Sequence, residues 1–287
     1  MSGLNKNNIS GKGFGLLFEM GCGKTLTAIA IAGAAYEKGA IEKVLVVAPT
    51  SVCSVWPKEF KDYADFKYKV AVLLGDKKKR LQQLESLRKF PLKALKVAVI
   101  NYESTWREEI FEALMDWKPD LAIADESQRI KAHDAKQSKA IHQIGDIAKY
   151  KLILSGTPVQ NEAIDLFSQY RFLDPTIFGY NFYAFKNRYA IMGGFNQKQI
   201  VGYRDLEQLI QKEHSIAYRV TKEEALDLPE QTFLTRYIQF NSKEKQLYNK
   251  IKNDSFAELE NGNTITAPIV LTKLLRLQQM TGGFIQA

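Results

Sequence analysis

Short apolar runs alternate with amphipathic stretches along the first half of the chain. Leu16–Glu19, Val44–Ala48, Lys69–Leu74, Lys96–Ile100, Leu121–Ala124 and Lys151–Leu154 are rich in Val, Ile and Leu, as strands buried on both faces are. Between them, Lys24–Lys38, Asp76–Lys89, Ser104–Asp116 and Ala135–Ile147 carry helical spacing, with Leu81, Leu84 and Leu87 on one such stretch and Ile110, Phe111, Leu114 and Met115 on another. Alternating strand and helix predicts an α/β fold: an open parallel sheet with helices on both faces. After Asn161 the alternation stops. Glu162–Leu173, Asn181–Tyr189 and Leu206–Glu213 are predicted helices, and Met192–Tyr203, with Gly193-Gly194, a turn or hairpin. A helical run from Tyr218 ends at Pro229, and an extended run, Thr232–Phe240, follows. Leu228–Thr235 is therefore the expected boundary, and Ser242–Gly262 and Ala267–Met280 are predicted helices beyond it.

Composition narrows the class. With 287 residues, 45% of them hydrophobic and 25% charged, the chain can bury a sizeable core and is not a disordered one. Lys and Arg number 40 against 32 Asp and Glu, a net charge of +8, which favours an anionic partner such as nucleic acid. Cys22 and Cys53 are too few for a disulfide framework or a multi-cysteine zinc site, so a reducing compartment is expected. No apolar run reaches about 18 residues, so no membrane span is expected. The first residues lack the apolar core of a secretory signal.

Two segments carry candidate chemistry. The strand Leu16–Glu19 runs into Glu19-Met20-Gly21-Cys22-Gly23-Lys24-Thr25 and then an Ala-rich helix. Glycines in such a turn let backbone N–H groups fold around a phosphate, and the helix start adds partial positive charge. Lys24 is placed to reach the β- and γ-phosphates and the Thr25 hydroxyl to hold Mg²⁺, although Phe18 stands where the strict lysine-turn pattern has its first Gly. Gly21, Cys22, Gly23, Lys24, Thr25 and Leu26 are the candidate cofactor-binding residues. The second segment is the apolar run ending in Asp125-Glu126. Carboxylates at the C-terminal edge of a parallel strand face the ligand crevice. Asp125 is the candidate metal ligand and Glu126 the candidate base for an attacking water.

Further along, EMGCGKT (19–25), VLVVAPTSVCSVWPKEF (44–60), VAVINYES (97–104), DESQRIK (125–131) and LSGTPVQN (154–161) occur in that order. The set resembles the first-lobe motifs of superfamily-two helicase-like ATPases, and within them the Swi/Snf-related branch. DLFSQYRFLDPTIFG (165–179) and YRVTKEEALDLPEQT (218–232) fit the same branch. The resemblance implies a RecA-like ATPase core that uses ATP and Mg²⁺ to move along double-stranded DNA; the compact insertion and the lack of long disordered flanks, rather than the motifs, point to a cytoplasmic, bacterial or phage-encoded protein. By the same resemblance, Ser155 and Thr157 couple nucleotide state to DNA. Thr50 and Ser51 lie in one loop that contacts the phosphate backbone, and Asn101 and Tyr102 in a second. Gln128 takes the place of a His and is able to bridge the nucleotide site and the SGT turn, but it cannot titrate. Lys24, Glu126 and Gln128 form the candidate catalytic set.

The chain departs from that pattern twice. The family's Gln-containing segment that reads adenine is matched only by the polar cluster Asn5-Lys6-Asn7-Asn8. A second RecA-like lobe, which supplies arginines to the phosphoryl group, is missing. The expectation is therefore a fragment: residues 1–230 as lobe one, with a helical insertion over about 162–217, and 231–287 as a truncated connector and start of the second lobe. Alternatives from the residues are a P-loop NTPase of another class, kinase-like or acting on RNA or single strands. Trp56 is expected as a core anchor, and Lys77-Lys78-Lys79-Arg80 as a solvated face or a phosphate contact.

Overall fold

The computed structural model describes residues 13–91, 93–159, 162–197, 199–227, 234, 237, 239–260 and 267–282. The cluster Asn5-Lys6-Asn7-Asn8, Gln160, Asn161 and most of the 228–235 boundary lie outside the described residues. The chain divides into two compact units, Met1–Leu228 and Pro229–Ala287.

The first unit is built on strands β1 (Gly13–Phe18), β2 (Lys43–Ala48), β3 (Tyr68–Val72), β4 (Leu95–Asn101), β5 (Leu121–Asp125) and β6 (Tyr150–Leu154), a hairpin of β7 (Ala190–Gly193) and β8 (Gln199–Tyr203), and β9 (Ala217–Val220). Seven of these form one parallel sheet in the order β3-β4-β2-β5-β6-β1-β9. Its helices are α1 (Lys24–Glu37), α2 (Thr50–Cys53), α3 (Trp56–Tyr63), α4 (Lys77–Arg88), α5 (Tyr102–Thr105), α6 (Glu108–Trp117), α7 (Lys136–Ile147), α8 (Leu166–Leu173), α9 (Pro175–Phe178), α10 (Phe182–Tyr189), α11 (Leu206–Ser215) and α12 (Lys222–Ala225). The second unit contains α13 (Ser242–Glu260) and α14 (Ala267–Thr281), which pack on each other.

Strand alternation sorts the core into two halves. Val44, Val46, Val97, Val99, Leu121 and Ile123 point to one face, where Ala28, Ile29 and Ala32 of α1 and Trp56 and Phe60 of α3 cover them. Leu45, Val47, Ala98, Ile100, Ala122 and Ala124 point to the other, beneath Leu84 and Leu87 of α4, Leu114 of α6, Ile141 and Ile144 of α7 and Phe167 and Tyr170 of α8. Asp125 shares parity with Leu121 and Ile123, so its side chain emerges on the α1 and α3 face.

The expected βα alternation is present. One expectation fails: the segment from Tyr218 does not start as helix but lies in β9, parallel to β1. Backbone pairing decides this edge, whose four residues are too short a run to announce themselves. Gly15 permits the approach, since a Cβ there would stand 2.9 Å from the Ala217 Cβ. The anticipated hairpin near Met192–Tyr203 is β7–β8, antiparallel.

Candidate nucleotide site

The candidate residues gather at the C-terminal ends of β1, β5 and β6. Register places them: Asp125 of β5 pairs with Leu154 of β6, and Leu154 pairs with Leu16 of β1. With strands about 4.8 Å apart, Asp125 sits two strands from the turn that follows β1. That turn holds Gly21 and Gly23 at φ of 89° and 82°, a left-handed conformation that side-chain-bearing residues rarely adopt. Gly23 caps α1, so Lys24, Thr25 and Leu26 form its first turn. Lys24 Nζ donates to the carbonyls of Phe18 (3.0 Å) and Glu19 (3.4 Å), folding the ammonium over the mouth of the turn. Cys22 is half-buried there and Leu26 exposed.

Asp125 is buried. Burial pushes its carboxyl up to about 6, while the Trp56 hydrogen bond and the Lys24 charge oppose that rise. Trp56 Nε1 donates to Asp125 Oδ2 at 3.0 Å, and Tyr102 Oη donates to the Asp125 carbonyl at 2.8 Å. Trp56 is thus the expected core anchor and also the donor that orients this carboxylate, a second role its sequence context did not reveal. Among the described residues no cluster of three His, Cys, Asp or Glu could hold a metal. A buried carboxylate and the Thr25 hydroxyl are nevertheless the hard oxygen donors Mg²⁺ accepts when phosphates and water complete its shell.

Glu126 takes a left-handed backbone, φ 51° and ψ 58°, an uncommon state for a residue with a Cβ. The kink ends β5 and turns Glu126 toward β6. Gln128 Nε2 donates to Glu126 Oε2 (2.8 Å), Ser155 Oγ donates to Gln128 Oε1 (2.9 Å), and Thr157 N donates to Ser155 Oγ (3.1 Å). Glu126, Gln128, Ser155 and Thr157 are therefore one hydrogen-bonded chain. Gly156 lets the Ser155–Thr157 turn press against the end of β1, where an added Cβ would meet Phe18 O at 3.3 Å.

Thr50 and Ser51, at the start of α2, are exposed. Thr50 Oγ1 lies 3.4 Å from Glu103 Oε2, which also accepts from Asn101 Nδ2 at 2.8 Å. Asn101 and Tyr102, expected beside them on the phosphate backbone, are only 6% and 0% exposed. This corrects their assignment as DNA-contacting side chains. The Asn101 amide is spent on Glu103 and on Arg80 NH1 (3.0 Å), and the Tyr102 hydroxyl on Asp125. Both support the loop from below. Arg80 also donates to the carbonyls of Leu73 and Gly75, and Lys77 pairs with Glu109, so neither is part of an uncommitted basic face.

Two further groups went unnoticed in the sequence. Gln169 of α8 is fully buried between the Glu126 and Ser155 turns. Its Oε1 accepts from Ser127 Oγ (2.6 Å), and its Nε2 donates to the carbonyls of Pro158 (2.7 Å) and Asp165 (3.0 Å). Glu19 binds the end of β9 and the chain after it: its N–H donates to Val220 O (2.9 Å), and its carboxylate accepts from Lys222 N (3.1 Å). A polar residue inside an apolar helical stripe was the only sequence signal at Gln169. A separate cavity of about 550 Å³ lies at the opposite ends of β2 and β4. Its Lys43 and Lys96 are engaged by the carbonyls of Trp117 and Arg88, and it adjoins none of these residues.

A parallel sheet with a lysine turn after β1 and acids after β5 defines a RecA-like P-loop domain. Residues 4–282 match the family model of the SNF2-related domain, and the chain belongs to that family. It is 26% identical to an uncharacterized ATP-dependent helicase of Mycoplasma genitalium, MG018, over 91% of this chain and 24% of that protein. It is 32% identical to the TATA-binding protein-associated factor MOT1 of Saccharomyces cerevisiae, over 90% of this chain and 14% of that protein. The structure of the Sulfolobus solfataricus SWI2/SNF2 ATPase core in complex with dsDNA superposes with a TM-score of 0.60 at 26% identity, covering 95% of this chain and 55% of that one. The chain thus spans a quarter or less of these two curated relatives and about half of that ATPase core.

Proposed function

We propose that the protein is the ATP-binding first lobe of an ATPase that hydrolyses ATP to move along double-stranded DNA. The observation that carries this reading is the hydrogen-bonded chain from Glu126 through Gln128 to Ser155 and Thr157, beside a lysine turn whose ammonium acts on Asp125. Gly21 to Leu26 cradle the triphosphate, and Lys24 leaves the Phe18 and Glu19 carbonyls for its β- and γ-oxygens. Thr25 and Asp125 would hold Mg²⁺, which when bound neutralises charge on those oxygens. Glu126 takes the proton of the attacking water, and Gln128 keeps that carboxylate aimed. Ser155 and Thr157 pass the state of the site to the DNA surface, where Thr50 and Ser51 meet phosphates. Asn101 and Tyr102 hold the loop beneath that surface.

In this reading residues 1–230 are lobe one, with the insertion at about 162–217, and 231–287 are the connector and start of a second RecA-like lobe. That lobe would bring the arginines that stabilise the transferring phosphoryl group, worth about 10³–10⁵ in rate for such residues. The free thiols of Cys22 and Cys53 suit a reducing cytoplasm, in a bacterial or phage-encoded setting. No helix among the described residues is long and apolar enough to cross a membrane. The test is ATP turnover by the full-length protein with duplex DNA, single-stranded DNA or RNA. Duplex should stimulate it most, and Lys24→Ala should abolish it. Stimulated turnover that survives Lys24→Ala, or that answers only to RNA, would refute the reading.

A further inference from the structure

The turn carrying Glu126 and the turn carrying Ser155 are joined twice. The outer tie runs through Gln128, which is half-buried. The inner tie runs through residues on the opposite side of the same turns. Ser127 is buried, and its hydroxyl donates to Gln169 Oε1 at 2.6 Å. Gln169 Nε2 then donates to Pro158 O at 2.7 Å and to Asp165 O at 3.0 Å. The amide can sit only one way round. Two backbone carbonyls accept and never donate, so the NH₂ must face them, and the oxygen is left for the serine hydroxyl. The serine contact is buried, and the two carbonyl contacts are partly buried beside it, on a helix whose Leu166, Phe167 and Tyr170 are buried too.

We infer that Gln169 is a positioning residue for ATP turnover, fixing the Glu126 turn and the Ser155–Pro158 turn as one body so that DNA engagement at one is felt at the other. This rests on the proposed ATPase reading and deepens it. The outer tie is made by a half-buried amide that nucleotide and water can reach and displace. The inner tie runs through Ser127 and Gln169, which are both fully buried, so it is the part of the linkage that persists while the outer one rearranges. It also anchors both turns to α8, the helix that opens the expected insertion, and so makes that helix part of the site's frame.

Three variants of the full-length protein test it: Gln169→Leu, Ser127→Ala and the double variant. The readouts are the ratio of duplex-stimulated to basal ATP turnover, the affinity for mant-ATP, and Tm. Gln169→Leu should lower the ratio at least about fivefold while mant-ATP affinity stays within about twofold, because neither residue touches the triphosphate. Ser127→Ala, which strands only the amide oxygen, should lower the ratio less. Removing both partners of a buried hydrogen bond restores stability that removing one loses. The double variant should therefore regain part of the lost Tm without regaining the ratio. A ratio that recovers with Tm would show that the pair merely packs the fold and would overturn the proposal. So would a ratio within twofold of wild type in folded Gln169→Leu, or in Ser127→Ala and the double variant should Gln169→Leu not fold. A wild-type ratio of one is a different result. It would refute the duplex-driven reading itself and the proposal with it, whereas an unchanged ratio beside a responsive wild type would overturn the proposal alone.

Discussion

Replacing Trp56 by Phe removes one hydrogen bond from the buried Asp125 carboxylate and keeps an aromatic ring in the core. The carboxyl titrates at about 6 because burial outweighs the Trp56 N–H and the Lys24 charge. A hydrogen bond to a charged group contributes about 1.5–3 kcal/mol, so its loss should raise that value by roughly one to two pH units. At pH 7 the neutral fraction would climb from about one tenth to between roughly half and nine tenths. Only the carboxylate can ligate Mg²⁺, so the Mg²⁺ needed for half-maximal turnover should rise about two- to tenfold at pH 7 and return to the wild-type value near pH 9. Packing damage alone would not be rescued by base. An Mg²⁺ requirement that is unchanged at pH 7, or raised equally at both pH values, would refute the role of Trp56. Asp125→Asn supplies the control of sign. A carboxyl that titrates at about 6 when folded and 3.8 when free binds its proton more tightly in the folded state. Its relative stability is therefore full below 3.8 and lost as pH rises through 6, a penalty on the order of 3 kcal/mol at neutral pH. The nucleotide-free Asn variant should melt higher than wild type at pH 7, lose that advantage near pH 4, and have no turnover.

Glu126→Gln should bind mant-ATP within about threefold of wild type yet lose at least about a hundredfold in turnover, the range for removing a positioned base. Normal turnover would show that Glu126 takes no proton. Gly13→Ala should destabilise the first unit by about 1–3 kcal/mol or more, because the new Cβ would stand 2.2 Å from the backbone oxygen of Leu173. Urea unfolding measures it, and an unchanged midpoint would put the β1–α8 contact in error.

The fold was legible where the sequence spends its apolar residues. Val44–Ala48, Lys96–Ile100 and Leu121–Ala124 are continuous Val, Ile, Leu and Ala runs because both faces of those strands are covered. β9 was not legible, since an edge strand of four residues is specified by backbone pairing and by the missing side chain of Gly15. At the site, motif order located Lys24, Asp125, Glu126, Gln128 and Ser155 on one edge of the sheet. It did not distinguish side chains that face outward from those that face inward within a motif. Thr50 and Ser51 are exposed, whereas Tyr102, in an equally polar run, points into the core to hold Asp125. The left-handed kink at Glu126 has no local sequence signal either, because nothing but the surrounding contacts requires it.

The end of β1 constrains how loss of Lys24 should be read. Three segments converge on Phe18 and Glu19. Lys24 donates to both carbonyls, the Gly156 turn presses on Phe18 O, and the end of β9 with the residues after it binds the Glu19 amide and carboxylate. Lys24→Ala therefore removes more than a phosphate ligand. It withdraws the lysine donor from the Phe18 carbonyl, and one of two donors from the Glu19 carbonyl, which keeps the Cys22 N–H, at a junction that also holds the Ser155–Thr157 turn and β9. A buried acceptor left without a donor costs about 1–3 kcal/mol. Turnover lost together with several degrees of Tm would report a collapsed junction as readily as a missing cation. Lys24→Arg separates the two, because a guanidinium can still satisfy the carbonyls but cannot enter a turn shaped around an ammonium as a point charge does. If the arginine variant keeps wild-type Tm and is as inactive as the alanine one, the lost activity belongs to the triphosphate contact. If it restores turnover along with Tm, the lysine acts mainly by holding the end of β1.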